Sequence, residues 1–156
     1  MSLELAAPLT LEFDAIQQII PQRFPFVMLD LVVELEPGVR AVGIKNLSGN
    51  EWFYQGHFPI RAVTPGAMLC EAAAQTGIVL FHVTRPPSPG AVVTYLLGRI
   101  AMRFLSPVLP GDQLRITVTP ATVLERTALL QAELAVDGKT VAKGELALSA
   151  KPNEPE

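Results

Sequence analysis

The sequence contains one cysteine, Cys70, and two histidines, His57 and His82. A single thiol excludes an internal disulfide and no Cys/His spacing matches a zinc site, so no metal is expected and a reducing cytoplasm is the simplest compartment. Charge is sparse as well: Asp, Glu, Lys and Arg make up 17% of the chain, against about 25% in an average soluble domain. There is no basic run, and 12 basic against 15 acidic residues leave a net charge of −3, which argues against nucleic acid because phosphate binding needs clustered Lys and Arg. The start, Met1-Ser2-Leu3-Glu4-Leu5, has no basic region before an apolar core. The longest uncharged apolar stretch near the middle, Ala72 to Thr84, is too short to cross a bilayer. The expectation is a soluble, unexported chain with no membrane partner.

Apolar residues, in contrast, make up 49%. With so little charge to cover a monomer, an oligomer is expected. The 156 residues fit one domain at ~150 residues per domain. No internal repeat divides them, and Arg85-Pro86-Pro87-Ser88-Pro89-Gly90 reads as a loop, too short for a linker. The expected domain covers residues 1–150. The tail 151–156, Lys151-Pro152-Asn153-Glu154-Pro155-Glu156, has no apolar anchor and is expected to be disordered, as are the first few residues.

Thr10 is a candidate cap for a short helix whose Phe13, Ile16, Ile19 and Ile20 share a face, with Pro21 as its stop. Phe26 to Glu36 and Val39 to Leu47 read as strands joined at Pro37-Gly38. Ala67 to Val83 is apolar around almost its whole circumference, as a helix buried on all sides requires. Thr64-Pro65-Gly66 before it fits an N-cap hydroxyl with proline at the first helical position. Four more strands are expected at Ala91–Phe104, Gln113–Leu124, Thr127–Val136 and Thr140–Ala150, with turns at Pro110-Gly111-Asp112 and Asp137-Gly138. Two strands, one long apolar helix and four strands joined by short turns predict an α+β domain in which a curved antiparallel sheet wraps the central helix.

Two ionisable positions stand out against this background. His57 sits in a loop between Gly56 and Phe58-Pro59, and Glu71 lies about one and a half turns into the apolar helix, with Gln75 at i+4 on the same face. An ionised carboxylate buried there must be paired, wetted or protonated. The backbone N–H of Gly66, at the positive end of the helix dipole, suits a developing oxyanion. Taken singly, His57 reads as a loop histidine bonded to backbone and Glu71 as a partly exposed helix residue or one side of an interface salt bridge. Together, a base, an acid and an oxyanion donor suit proton chemistry beside a carbonyl. Cys70 reads as a small apolar residue of a packed helix rather than a nucleophile, and His82 as a favourable charge near the helix C-terminus or a surface residue.

The string Glu51-Trp52-Phe53-Tyr54-Gln55-Gly56-His57-Phe58-Pro59, followed by Val63-Thr64-Pro65-Gly66-Ala67-Met68-Leu69-Cys70-Glu71-Ala72-Ala73-Ala74-Gln75, resembles the hotdog-fold (3R)-hydroxyacyl-acyl-carrier-protein dehydratases of bacterial fatty-acid synthesis. Ile20-Pro21-Gln22-Arg23-Phe24-Pro25-Phe26, Arg103-Phe104, Pro107 to Asp112 and Asp137-Gly138-Lys139 extend the resemblance over residues 13–149. It implies a hotdog fold and a lyase that removes water from a (3R)-hydroxyacyl thioester to give a trans-2-enoyl product. His57 would take the proton α to the thioester carbonyl and Glu71 would protonate the departing hydroxyl. Gly66 would polarise the carbonyl, and the Val63 carbonyl would orient His57. Glutamate at 71 favours the plain dehydratase branch, because the related dehydratase-isomerases carry aspartate there. Phe58 and Gln75 join the implied substrate-binding set, and Arg61, Arg99 and Arg103 are candidates for docking an acidic acyl carrier protein.

The resemblance implies no metal or redox cofactor. The implied partner is an acyl carrier protein bearing a phosphopantetheine-linked chain, or acyl-CoA. It also implies a homodimer with sheets edge to edge and shared active sites, in which Glu71 faces His57 of the second copy, and a hexamer of three dimers would suit the low charge content. The sequence departs from the family pattern with Ile60 for glycine, Ala62 for proline and Thr64 for methionine. These departures leave open a dehydratase of a specialised acyl or polyketide pathway, a hotdog thioesterase using Glu71 to activate water, and a non-catalytic acyl-binding homologue.

Overall fold

The computed structural model describes residues 7–153. β2 (Leu31–Glu36) and β3 (Arg40–Asn46) form the first long hairpin, with Gly38 at φ 74° in the turn. A 3-10 segment, Trp52–Gly56, and an extended stretch lead into α2, Gly66–Thr84. β4 (Val93–Phe104), β5 (Gln113–Val123), β6 (Thr127–Val136) and β7 (Lys139–Pro152) follow. With a short β1 (Leu9–Leu11), these strands make one antiparallel sheet in the order β1-β2-β3-β5-β6-β7-β4.

The sheet curves around α2, which packs against β2 through β7. Ala72 to Phe81 are all buried, so the helix is enclosed as its all-round apolar sequence requires. By length and composition alone α2 could cross a membrane, contrary to the reading of Ala72–Thr84 as too short, but 67% of its apolar window is buried within the domain. Close approach of sheet and helix demands a glycine at 77: a Cβ there would stand 2.9 Å from Leu130 Cδ1 and 3.3 Å from Leu146 Cδ1 and Leu148 Cδ1. This is the curved sheet around a central helix that the pattern predicts.

Several local expectations change. Thr10 caps nothing: it lies in β1, which pairs with β2 through Leu9 and Leu11, and α1 (Phe13–Gln17) begins after Glu12 without a side-chain cap. The strand expected from Phe26 begins at Leu31, because the backbone at Phe26 and Met28 is held by a side chain instead of a neighbouring strand. Gln75 Oε1 accepts from Met28 N at 2.7 Å and its Nε2 donates to Phe26 O at 2.7 Å.

Thr64 does not cap α2 either. The residue before the helix is Pro65, whose carbonyl accepts from Met68 N and Leu69 N, while the Thr64 hydroxyl is 2.8 Å from Tyr54 Oη. The tail is ordered further than its polarity suggests. Lys151 and Pro152 extend β7 against β4, and Asn153 N donates to Val92 O, since ladder hydrogen bonds order a strand end without apolar anchors. The other residues expected to be disordered, 1–6 and 154–156, lie outside the described residues.

Replacing Gly77 with valine should cost about 1–3 kcal/mol by overpacking the contact with Leu130, Leu146 and Leu148. Urea unfolding of wild type and variant, compared at equal m-value, measures it.

Candidate active site

The loop before α2 is drawn tight by its own backbone and by three side chains. Lys45 on β3, only 7% exposed, pairs with Glu51 at 2.9 Å, and Glu51 directly precedes the 3-10 segment. Trp52 Nε1 donates to Pro25 O at 2.8 Å, tying the segment to the loop before β2. Tyr54, in the middle of the segment, meets Thr64 through their hydroxyls. Burial pushes the Tyr54 phenol above its ordinary pKa, so it holds its proton for this bond.

His57 ends the segment in extended conformation. Its Nδ1 lies 2.9 Å from Val63 O, and Val63 N returns a bond to His57 O at 3.3 Å. A carbonyl can only accept, so Nδ1 carries the proton and Nε2 presents a lone pair. Among the described residues Nε2 has no hydrogen-bond partner. The Phe58 ring lies 4.1 Å from the imidazole, centroid to centroid, and covers part of it.

Two clefts meet at His57. One, of about 370 Å³, is lined by Val63, Gly66, Leu69 and Phe104 among others, and the second, of about 400 Å³, by Trp52, Pro65 and Met68. Gly66 opens α2 and its N–H has no intrahelical partner by position. Glycine lets the Phe104 ring stand over it: a Cβ would meet Phe104 Cζ at 2.9 Å and displace the ring. Gly66, with a polarised donor at the positive end of a helix, and His57 therefore line the same apolar cleft.

Glu71 is half-buried and accepts from Gln75 Nε2 at 2.9 Å, so the carboxylate in the apolar helix is paired. It lines neither cleft that contains its own chain's His57. Gln75 was expected to touch substrate, but it is fully buried and both its amide hydrogens and its oxygen are engaged with Phe26, Glu71 and Met28. It is an anchor for Glu71 and for the loop before β2.

The three arginines separate. Arg61 is exposed in the loop that follows His57. Arg99 pairs with Glu145 at 2.8 Å on the outer face of the sheet, and Arg103 lines a different cleft with Gln131, Glu133 and Lys143. Neither Arg99 nor Arg103 reaches the His57 clefts, because inward Ile100 and Met102 pack on the core and alternation turns their neighbours outward. Burial pushes the Cys70 thiol up, away from thiolate chemistry. His82 is no helix-end charge: burial lowers its pKa, and its Nδ1 lies 3.0 Å from Tyr95 Oη.

The residues that sequence reasoning missed are the tethers Lys45, Tyr54 and Thr64. A lysine inside an apolar strand was the available signal for the first, and nothing in the linear pattern pairs Tyr54 with Thr64.

Fold and site together define a hotdog domain with apolar clefts beside a histidine. Residues 20–145 match the model of the FabA-like domain, and the chain belongs to that family. It is 40% identical over 141 residues to the 3-hydroxyacyl-[acyl-carrier-protein] dehydratase FabZ of Geotalea uraniireducens, covering 90% of this chain and 93% of that protein. It is 42% identical to the enzyme of the same name from Acidiphilium cryptum, covering 86% and 81% respectively. Among solved structures, the dehydratase heterocomplex ApeI:P from Xenorhabdus doucetiae shares the fold with a TM-score of 0.75 at 18% identity, covering 89% of this chain and 91% of that one.

Gln75→Leu should destabilise the protein by at least ~2 kcal/mol, since Met28 N–H and Phe26 C=O each lose a partner at a cost of ~1–3 kcal/mol; chemical denaturation reads this directly. A second expectation concerns acid. With a folded-state pKa below its unfolded value, His82 binds its proton first in the unfolded chain, so stability falls as pH drops below about 6.5. The difference in thermal midpoint between wild type and His82→Phe should stay constant from about pH 7 to 8 and change in acid, with the wild type losing more.

Proposed function

We propose that this chain is a (3R)-hydroxyacyl-thioester dehydratase of fatty-acid biosynthesis, with acyl carrier protein bearing the substrate. The observation that carries the reading is the His57–Val63 hydrogen bond beside the open N-terminus of α2, in a chain about 40% identical to dehydratases over most of its length.

In this mechanism His57 Nε2 removes the proton α to the thioester carbonyl, while the Gly66 N–H bonds the carbonyl oxygen as negative charge develops there. The electron pair moves to form the α–β double bond, the β-carbon–oxygen bond breaks, and Glu71 supplies the proton that turns the departing hydroxyl into water. The clefts around His57 are apolar and accept an acyl chain. Phe58, over the imidazole, limits water at the base.

The acid belongs to a second copy of the chain. Glu71 is absent from both clefts of its own His57, and β4, the long strand at one edge of the sheet, leaves Leu96 and Leu97 over 40% exposed. A long apolar edge is a surface proteins cover, and pairing two β4 strands extends the sheet across a homodimer. Assembly of three such dimers into a hexamer would suit the low charge content. Arg61, exposed beside His57, meets the acidic carrier, and the cytoplasm supplies both partners.

His57→Ala and Glu71→Gln should each lower turnover by at least ~10²-fold with the oligomer intact. Mass spectrometry of a short (3R)-hydroxyacyl chain on acyl carrier protein reads the loss of one water. Hydrolysis of the thioester instead, or retention of the unchanged chain, would overturn the reading. Mixing His57→Ala with Glu71→Gln subunits should restore part of the activity, because hybrid dimers hold one intact site. Arg61→Glu should weaken carrier binding by roughly 2–5-fold, as expected for one exposed charge pair of ~0.2–1 kcal/mol, an effect that added salt erases.

A further inference from the structure

Thr64 stands between Val63, whose carbonyl bonds His57, and Pro65, the residue before α2. The Val63 carbonyl and the Thr64 N–H belong to one planar trans peptide, so holding one aims the other. The Thr64 N–H donates to Val108 O at 2.8 Å, and on the opposite side of the plane Val63 O receives His57 Nδ1 at 2.9 Å. The Thr64 side chain is pinned independently. It is 3% exposed, and its hydroxyl lies 2.8 Å from that of Tyr54, which is 8% exposed.

Tyr54 in turn belongs to the segment that ends in His57, and His57 N donates to Tyr54 O at 3.4 Å. The two hydroxyls therefore close a ring: Tyr54 to His57 along the chain, His57 to Val63 through the imidazole, Val63 to Thr64 through the shared peptide, and Thr64 back to Tyr54. This contact joins the two sides of the His57–Val63 bond directly. Thr64 is also one of the three departures from the family pattern, at a position with methionine in its place, a residue unable to make this bond through a hydroxyl.

We propose that the Tyr54–Thr64 hydrogen bond is a positioning device for the base: it fixes the Val63–Thr64 peptide against His57, holding the Nδ1–H tautomer and directing the Nε2 lone pair into the acyl cleft. Tyr54 and Thr64 touch no reacting atom in this arrangement and act through His57. The inference rests on the dehydratase reading for its catalytic consequence, but the tautomer of His57 is a property of the ring alone.

The variants Tyr54→Phe, Thr64→Val and the double substitution each remove hydroxyls and little else. Each single variant leaves one buried hydroxyl without its partner and should lose both thermal stability and kcat, the latter by about tenfold from a loosened base, with KM changed less than about twofold. In the double variant no hydroxyl is left unpaired, so the thermal midpoint should return to within about 2 °C of wild type while kcat stays at the level of the singles. A merely structural role predicts the opposite, kcat recovering together with the midpoint, and that result overturns the proposal.

Long-range proton–nitrogen correlation spectra of the imidazole supply the second readout. Wild type should be dominated by the Nδ1–H tautomer, and all three variants should shift towards a mixture with Nε2–H. Unchanged tautomer populations in the variants also overturn it. If wild type fails to dehydrate the hydroxyacyl thioester, the functional reading falls, and the spectra still decide whether the pair sets the tautomer.

Discussion

A helix without a polar face has to be enclosed, and most of this structure follows from enclosing α2. Ala72 to Phe81 are buried in succession, so no side of the helix is available to water and sheet must surround it. The strand order β1-β2-β3-β5-β6-β7-β4 supplies one continuous curved surface for the purpose. Gly77 lets the leucines of β6 and β7 approach the helix backbone, and Thr76, buried with it, turns its hydroxyl back to Ala72 O at 2.9 Å. Polar groups on such a helix survive only with a partner, because an unpaired one costs several times what a made hydrogen bond returns.

That constraint also explains where chemistry is possible. Glu71 escapes full burial by lying near the start of the helix, and Gln75 holds it while fastening Phe26 and Met28. At the N-terminus the enclosure opens: Gly66 admits the Phe104 ring and leaves a backbone donor at the edge of an apolar cleft. His57 is delivered to that edge by a loop that is anything but free, held through Lys45–Glu51, Trp52–Pro25, Tyr54–Thr64 and its own bond to Val63. A side chain on a loop is placed as accurately as one on a strand when its backbone is tied at this density.

The departures from the family pattern have separate structural outcomes. Ile60 is fully exposed with no positive φ, so this loop runs without the conformational freedom of glycine. Ala62 packs against the core from a half-buried position. Thr64 exchanges an apolar side chain for a hydroxyl and finds Tyr54 waiting for it. Of these three, Thr64 bonds to the segment that ends in His57.

Periodicity and turn residues determined the α+β class, the enclosed helix and most strand limits: β6 runs over Thr127–Val136 as the pattern predicts, because alternation and Gly turns are local properties of the chain. The motif around His57 and Glu71, read as a family resemblance, located the candidate base and acid. What only the tertiary structure decided are the contacts between segments distant in sequence. Gln75 became an anchor rather than a substrate contact, Thr64 a tether rather than a cap, and Arg99 and Arg103 turned to the outer face. Each of those outcomes depends on which backbone group or hydroxyl arrives opposite a side chain once the sheet has curved around α2. Spacing along a sequence carries no such information, because a hydrogen bond is set by distance in space and by the exclusion of water from the competing partner.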